Sequence, residues 1–288
     1  MSIFVDESNK VVVQGATGHQ GVFHIGEMKN FGTKVVAGVT PGKAGQQVHD
    51  VPIFNTVLDA VHETGANTSL ILVPARFAKD AVFEALDAGI QTVVTITENI
   101  PFHDAMDFVH YAQYHDAVLI GPNCPGIASP GKTKIGILPG SIFSKGNVGV
   151  ASRSGTLTYE IVNSLKEKGI GQSTCVGLGG DPIIGTTFID ALDAFEKDKE
   201  TKAIVLVGEI GGTAEEDAAD HIKEHITKPV FAFIAGRTAP PGKRMGHAGA
   251  IIARGKGTAK SKIEAFQKAD VKLAQFPTDI ADLIETYK

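Results

Sequence analysis

A histidine set among glycines is the residue of this chain best suited to nucleophilic chemistry: His247, in Lys243-Arg244-Met245-Gly246-His247-Ala248-Gly249-Ala250. Flanking glycines leave the imidazole clear of neighbouring bulk, and a neutral ring nitrogen can attack a phosphoryl group. Such an imidazole needs an acidic group to orient it. Glu209, in Val207-Gly208-Glu209-Ile210-Gly211-Gly212, closes an apolar run that reads as a strand, and strand ends are where α/β active sites gather. On pattern alone it reads equally well as a surface carboxylate. Charge partition points to phosphate. From Lys243 to Lys272 there are eight Lys or Arg and two carboxylates, Glu264 and Asp270, whereas Asp181 to His225 carries twelve carboxylates against four Lys. A basic surround lets a phosphoryl group approach.

Two strand–turn–helix openings could hold phosphate. In Val13-Gln14-Gly15-Ala16-Thr17-Gly18-His19-Gln20-Gly21, a glycine turn leads from a strand into a helix, whose N-terminus offers N–H groups and a positive dipole end to an anion. The spacing is GxxGxxG and not the GxGxxG of most NAD sites. Where NAD sites place an acidic residue after the second strand, this chain reads Val39-Thr40-Pro41-Gly42-Lys43. A cation there suggests a phosphorylated ribose, as in coenzyme A or NADP. The second opening is Ser152-Arg153-Ser154-Gly155-Thr156, with Ser154 as N-cap and Ser154 and Gly155 as a phosphate-binding start.

Two other patterns read as ordinary structure. Gly126 to Thr133 fits GxxxxGK[ST], but the following Ile135-Gly136-Ile137-Leu138-Pro139-Gly140 denies the helix that a P-loop requires. His221-Ile222-Lys223-Glu224-His225 fits HxxEH, yet it lies on an otherwise acidic helix and reads as a solvated face. No metal site is expected.

The elements that must position these residues alternate. Strands are expected at Val11 to Val13, Val35 to Val39, Ser69 to Val73, Thr92 to Thr97 and Ala117 to Ile120, as apolar runs typical of a parallel sheet covered on both faces. A second set follows near Val148 to Ser152, Thr174 to Leu178, Ala203 to Val207 and Val230 to Ile234, with helices near Leu157 to Lys168, Thr187 to Lys197, Ala214 to His225 and Ala259 to Lys268. Between the sets, residues 121–146 hold enough Gly and Pro to stop any regular element. The expectation is an α/β protein with a doubly wound domain over 1–122, a connection over 123–146 and a second parallel α/β domain over 147–288. At 288 residues two domains are the natural reading. A net charge of −5 argues against a nucleic-acid partner. Two cysteines without CxxC spacing exclude a disulfide framework, and no apolar run is long enough to span a membrane. The chain reads as soluble and cytoplasmic.

With those segments in hand, the chain resembles the α-subunit family of succinyl-CoA synthetases (succinate–CoA ligases) over essentially its whole length. QGATGHQGVFH, TPGK, TITENIP, GPNCPG, SRSGTLTYE, QSTCVGLGGDP, GEIGG and GKRMGHAGAII carry the likeness, in order. The resemblance implies a Rossmann-like CoA-binding domain and a flavodoxin-like domain whose histidine is phosphorylated in turnover of the tricarboxylic acid cycle. It places CoA contacts on Thr17, Gly18, His19, Gln20, Lys43 and the backbone of Ile96-Thr97-Glu98. It places the phosphohistidine on His247, its carboxylate on Glu209 and a substrate contact on Tyr159. It also implies an ATP-grasp β subunit, in an αβ or α2β2 assembly, that supplies Mg²⁺ and the ATP or GTP site. His19, Arg76 and Arg254 depart from the family pattern. Two other readings compete: a CoA ligase for another small carboxylate such as malate or acetate, and a non-catalytic CoA- or NADP-binding module.

Overall fold

The computed structural model describes residues 2–240, 242–253 and 255–287. They divide into two compact units, one of residues 4–140 with 183–185 and one of residues 141–182 with residues 2–3 and the chain from Thr186 on. The N-terminal unit contains β1 (Lys10–Gln14), α1 (His19–Phe31), β2 (Lys34–Val39), β3 (Gln47–Val48), β4 (Val51–Phe54), α2 (Val57–Thr64), β5 (Thr68–Ile71), α3 (Ala78–Asp87), β6 (Thr92–Thr95), α4 (Phe102–Tyr114) and β7 (Val118–Ile120). Its strands lie in the order β3-β4-β2-β1-β5-β6-β7, all parallel except β3. Numbered among themselves, the six parallel strands run 3-2-1-4-5-6, the Rossmann order, which reverses direction between β1 and β5. β5 and β6 are buried along their whole length, because α-helices cover both faces. Val12, Ile71, Val93 and Phe108 form part of one core with Val82 and Leu86 of α3.

Residues 121–146 are not free of regular structure, contrary to expectation. They hold β8 (Gly126–Ser129) and β9 (Thr133–Gly136), paired antiparallel around a tight turn. Thr33, just beyond α1, fixes this hairpin: its Oγ1 donates to the Lys134 carbonyl at 2.7 Å and accepts the Lys134 N–H at 2.9 Å. The glycines that suggested a break are what lets two backbones approach this closely.

The C-terminal unit contains β10 (Lys145–Ser152), α5 (Gly155–Glu167), β11 (Gln172–Gly177), α6 (Phe188–Lys197), β12 (Ala203–Glu209), α7 (Ala214–His225), β13 (Val230–Ala235), α8 (Ala259–Lys268), β14 (Lys272–Leu273) and α9 (Asp279–Thr286). Its strands run parallel in the order β11-β10-β12-β13-β14, which is 2-1-3-4-5, the flavodoxin-like order. The reversal falls between β10 and β12, so ligands are expected beyond the carboxyl ends of those two strands. Among the described residues no helix is long and apolar enough to cross a membrane.

Candidate functional site

In the N-terminal unit the turn after β1 runs straight into α1. Gly18 is the N-cap and has no side chain with which to cap, so the first N–H groups of the helix keep no partner within it. A Cβ on Gly21 would lie 2.3 Å from the Gly15 carbonyl oxygen, so only glycine lets the helix sit this close on its own turn. His19 and Gln20 are exposed on the first turn. Thr17 ties this turn to the end of β2: its N–H donates to Thr40 Oγ1 at 3.3 Å, and the two hydroxyls lie 3.2 Å apart. Residues 40–43 close a turn through the Lys43 N–H and the Thr40 carbonyl at 3.1 Å. Asn55 Oδ1 braces it by accepting from the N–H groups of Gly42 at 2.9 Å and Ala44 at 3.3 Å. Lys43 is exposed on this brace.

Ile96, Thr97 and Glu98 follow β6. The Thr97 hydroxyl donates to the Val73 carbonyl at 2.7 Å, which joins the loops after β5 and β6. All the expected CoA contacts therefore leave the carboxyl edge of one sheet, on either side of its reversal. Arg76, in the loop after β5, lies over the Phe77 ring at 4.8 Å. Arg254 lies outside the described residues. Asn55 and Thr40, which shape the edge, carry no signal in the sequence beyond lying near turns.

In the C-terminal unit Glu209 ends β12 and is only 6% exposed. The Nδ1 of His247 lies 2.9 Å from each of its carboxylate oxygens. That contact fixes the ring, puts the proton on Nδ1 and leaves Nε2 as the nitrogen Glu209 does not engage. Gly180 makes room, since a Cβ there would lie 2.3 Å from the imidazole Cγ. The hydrogen bond that His247 Nδ1 donates to Glu209 raises the titration of the imidazole above the usual histidine range; burial opposes this, as does the charge of Arg153. A second layer of charge surrounds the pair. Arg153 NH2 is 3.6 Å from Glu209 Oε1, and its NH1 is 3.0 Å from Glu215 Oε1. Glu215 is fully buried, and its Oε1 also accepts the Glu209 N–H at 3.0 Å. Its other oxygen pairs with buried Lys262, which in turn reaches Glu216 at 3.0 Å.

Ser154 caps α5 by accepting the Leu157 N–H at 3.4 Å, and Gly155 is the first residue of the helix. This N-terminus follows β10, the neighbour of β12 at the sheet reversal, and Tyr159 lies half-buried one turn further on. Arg153 stood in the expected SRSG segment without a role, and Glu215 in the acidic first turn of α7; partners 62 residues apart leave no local pattern.

The other patterns come to ordinary structure. Gly131 and Lys132 form the β8–β9 turn, closed by the Lys132 N–H on the Ser129 carbonyl at 2.9 Å, and no helix follows. On α7, His221 Nε2 lies 2.7 Å from Asp193 Oδ1, while Glu224 and His225 are exposed. Among the described residues no group of three His, Cys, Asp or Glu could hold a metal ion. Burial pushes the Cys124 thiol up to about 12 and the Cys175 thiol up as well, so neither offers a thiolate near neutral pH.

Known proteins match both halves. Residues 6–99 fit the CoA binding domain family and residues 151–272 the CoA-ligase family. The succinate–CoA ligase (ADP-forming) subunit alpha of Aquifex aeolicus is 58% identical over 99% of this chain and 94% of its own. The subunit alpha 2 of the same ligase from Archaeoglobus fulgidus is 59% identical over 99% of both. Among solved structures, ATP citrate lyase from Methanothrix soehngenii, in complex with citrate and coenzyme A, superposes with a TM-score of 0.89 at 26% identity. That likeness covers 99% of this chain, which spans about half (51%) of the lyase chain. A CoA-binding half, a CoA-ligase half and this degree of identity along the full length fit no redox enzyme or bare binding module. The chain belongs to the family of alpha subunits of succinate–CoA ligase, enzymes that form a CoA thioester.

Proposed function

We propose that His247 carries the phosphoryl group during turnover and that the N-terminal unit binds CoA through Thr17, Gly18, His19, Gln20, Lys43 and the backbone of Ile96, Thr97 and Glu98. The nucleoside triphosphate, ATP or GTP, and the Mg²⁺ that accompanies it belong to a partner β subunit with an ATP-grasp fold. No residue of this chain is asked to hold either.

In the first step Nε2 of His247 forms a bond to the γ-phosphorus, and the bond from that phosphorus to the bridging oxygen breaks, releasing nucleoside diphosphate. Nδ1 keeps its proton, so the phosphorylated ring is cationic; the buried Glu209 carboxylate, 2.9 Å away, offsets that charge. In the second step a succinate carboxylate oxygen takes the phosphoryl group. The N–P bond breaks and the neutral imidazole is restored. In the third, the CoA sulfur attacks the acyl carbon, the C–O bond breaks, and inorganic phosphate leaves with the thiol proton. Splitting carboxylate activation into two transfers replaces one difficult step with easier ones. The N-terminus of α5, at Ser154 and Gly155, offers N–H groups to the phosphoryl group in transit, and Tyr159 contacts the acid substrate.

The observation that carries this reading is the His247–Glu209 contact at the carboxyl end of β12, beside the sheet reversal. The test uses the full chain co-expressed with its partner. His247→Asn is expected to take up no label from γ-labelled nucleotide and to form no succinyl-CoA. Acid-labile, base-stable label on that variant at the wild-type level would falsify the assignment.

A further inference from the structure

Beyond the His247–Glu209 pair, the charges packed behind it form one connected chain through the C-terminal unit. Arg153 is 6% exposed and follows directly on β10, where its N–H donates to the Val207 carbonyl at 3.0 Å. Its guanidinium reaches three acceptors: Glu209 Oε1, 3.6 Å from NH2; Glu215 Oε1, 3.0 Å from NH1; and the Gly211 carbonyl, 3.3 Å from NH1. Those acceptors come from the end of β12, the first turn of α7 and the loop between them. Glu215 is itself held, since it accepts the Glu209 N–H and pairs with Lys262 of α8, which also donates to the Gly212 carbonyl at 3.1 Å. Gly249, two residues past His247, leaves space for the guanidinium: a Cβ there would lie 2.9 Å from Arg153 NH2.

We infer that Arg153 is a positioning residue for phosphoryl transfer: its planar fork, clamped on Glu209 and Glu215, fixes the carboxylate that in turn fixes the imidazole. This rests on the reading of His247 as the phosphorylated residue. Two properties of arginine are used. The fork hydrogen-bonds Glu215 and the Gly211 carbonyl through NH1 and keeps NH2 within ion-pair distance of Glu209, a set geometry which the point charge of lysine cannot reproduce. The permanent charge also acts on His247, where it opposes the imidazolium form that Glu209 favours. The charged groups facing this ring are Glu209 at the end of β12, Arg153 after β10 and Asp181 after β11; Glu215 on α7 and Lys262 on α8 stand behind them. Three carboxylates, Glu209, Glu215 and Glu216, thus share two cations, Arg153 and Lys262. Removing Arg153 leaves the imidazolium less opposed.

The two properties separate in two variants, each made in the full chain co-expressed with its partner. Single-turnover labelling of His247 from γ-labelled nucleotide is followed from pH 5.5 to 8.5. Arg153→Met is expected to slow labelling and to move the acid limb of the profile up by about one pH unit, about tenfold in rate at a fixed pH on that limb. Arg153→Lys keeps the charge but not the fork, so its labelling is expected to be slower with the acid limb near that of the wild type. KM for CoA is expected to stay unchanged in both, because CoA binds the other unit. A merely structural residue would lower the active fraction without moving the profile.

Wild-type rate and profile in a folded Arg153→Met chain would sink the inference. So would an Arg153→Lys chain indistinguishable from Arg153→Met in both rate and profile or, should the methionine variant fail to assemble, an Arg153→Lys chain that labels at the wild-type rate. His247→Asn in the same assay separates the two failures. If it is unlabelled while the Arg153 variants behave as wild type, only the role of Arg153 falls. If it is labelled like wild type, the reading of His247 falls and takes this one with it.

Discussion

On the proposed reading, the carboxyl edges of the two sheets meet phosphate in opposite ways. At the N-terminal edge the expected contacts are backbone N–H groups and short or exposed side chains: an uncapped helix start at Gly18, a braced turn at residues 40–43 and the Thr97 loop. Among the described residues nothing charged is buried there. At the C-terminal edge a histidine, two carboxylates and two cations interlock, and Glu209, Glu215, Arg153 and Lys262 are all buried. A site that only binds can be built from the main chain and opened to solvent. A site that must make and break a bond to phosphorus needs its nucleophile held in one tautomer and one orientation, and that takes buried, paired charge. Damage should therefore be severe and pH-dependent at the second edge, and mild, confined to CoA affinity, at the first.

The hardest blow to this contrast is Glu209→Gln. The amide keeps the shape and can still accept from Nδ1, but it carries no charge to offset the phosphorylated ring. Labelling of His247 is expected to drop on the order of 10⁴-fold, as when a triad loses its orienting carboxylate. The profile adds a sign. Glu209 raises the titration of His247, so the neutral nucleophile appears only above that raised value and the wild-type rate climbs as pH rises through it. Without the carboxylate, the climb is expected at lower pH, opposite to the shift for Arg153→Met. An unmoved limb in Glu209→Gln would show that the ring titration does not govern the rate.

Gly180→Ala tests geometry without touching charge. The new methyl would sit 2.3 Å from the imidazole Cγ, so the ring or the Gly180 backbone must shift. A displacement near 1 Å at a reacting group costs roughly 10²-fold, and labelling should fall by that order with the pH profile in place. A profile that also moved would mean the methyl disturbs Glu209 too, and the separation of charge from position would fail at this residue.

The sequence displays these two edges unequally, for a physical reason. Central strands such as β5 and β6 are legible because burial on both faces demands continuous apolar runs. The β8–β9 hairpin was hidden by its own glycines: Gly126 and Gly136 are paired across it at φ +97° and +123°, and a Cβ on either would lie 2.8 Å from the Cα of the other. What reads as a break is the condition for the pairing. β4 was concealed by Pro52, whose missing N–H is tolerated beside the two-residue edge strand β3. At the site, His247 and Glu209 are legible because glycines and a strand end mark them. Arg153, Glu215 and Lys262 are not, since their pairing depends on elements brought together only by folding. The unequal charge of the flanking segments was the one trace they left.

Lys43→Ala probes the milder edge. Lys43 is exposed on a turn whose shape is set by Asn55 and Thr40, so the fold should not respond to its loss. A single exposed cation on a phosphate contributes about 1–2 kcal/mol, and KM for CoA is expected to rise roughly tenfold while His247 labelling stays at the wild-type rate. The rise should shrink as salt is added, because the contact is solvent-screened. Slower labelling in Lys43→Ala would break the division of labour between the two units.

The finest test exchanges the two helix starts. At α5, Ser154 caps with a long 3.4 Å bond to the Leu157 N–H, whereas at α1 Gly18 does not cap at all. Removing the first cap, in Ser154→Ala, is expected to cost about 1 kcal/mol of stability in denaturant melts. Its effect on labelling should be only a few-fold, because the N–H groups proposed to meet the phosphoryl group remain. Installing a cap at the other helix, in Gly18→Ser, needs no unusual backbone, since Gly18 sits at φ −72° and ψ 161°, as Ser, Thr and Asp caps do. The new hydroxyl would accept one of the N–H groups otherwise offered to CoA. Stability should stay within a few tenths of a kcal/mol of the wild type, because the new Cβ meets the Gly15 carbonyl oxygen at 3.3 Å and offsets the cap, while KM for CoA worsens several-fold. A capped α1 that bound CoA as well as wild type would mean that the uncapped start is not what receives the phosphate, and the N-terminal edge would then have to bind by its side chains.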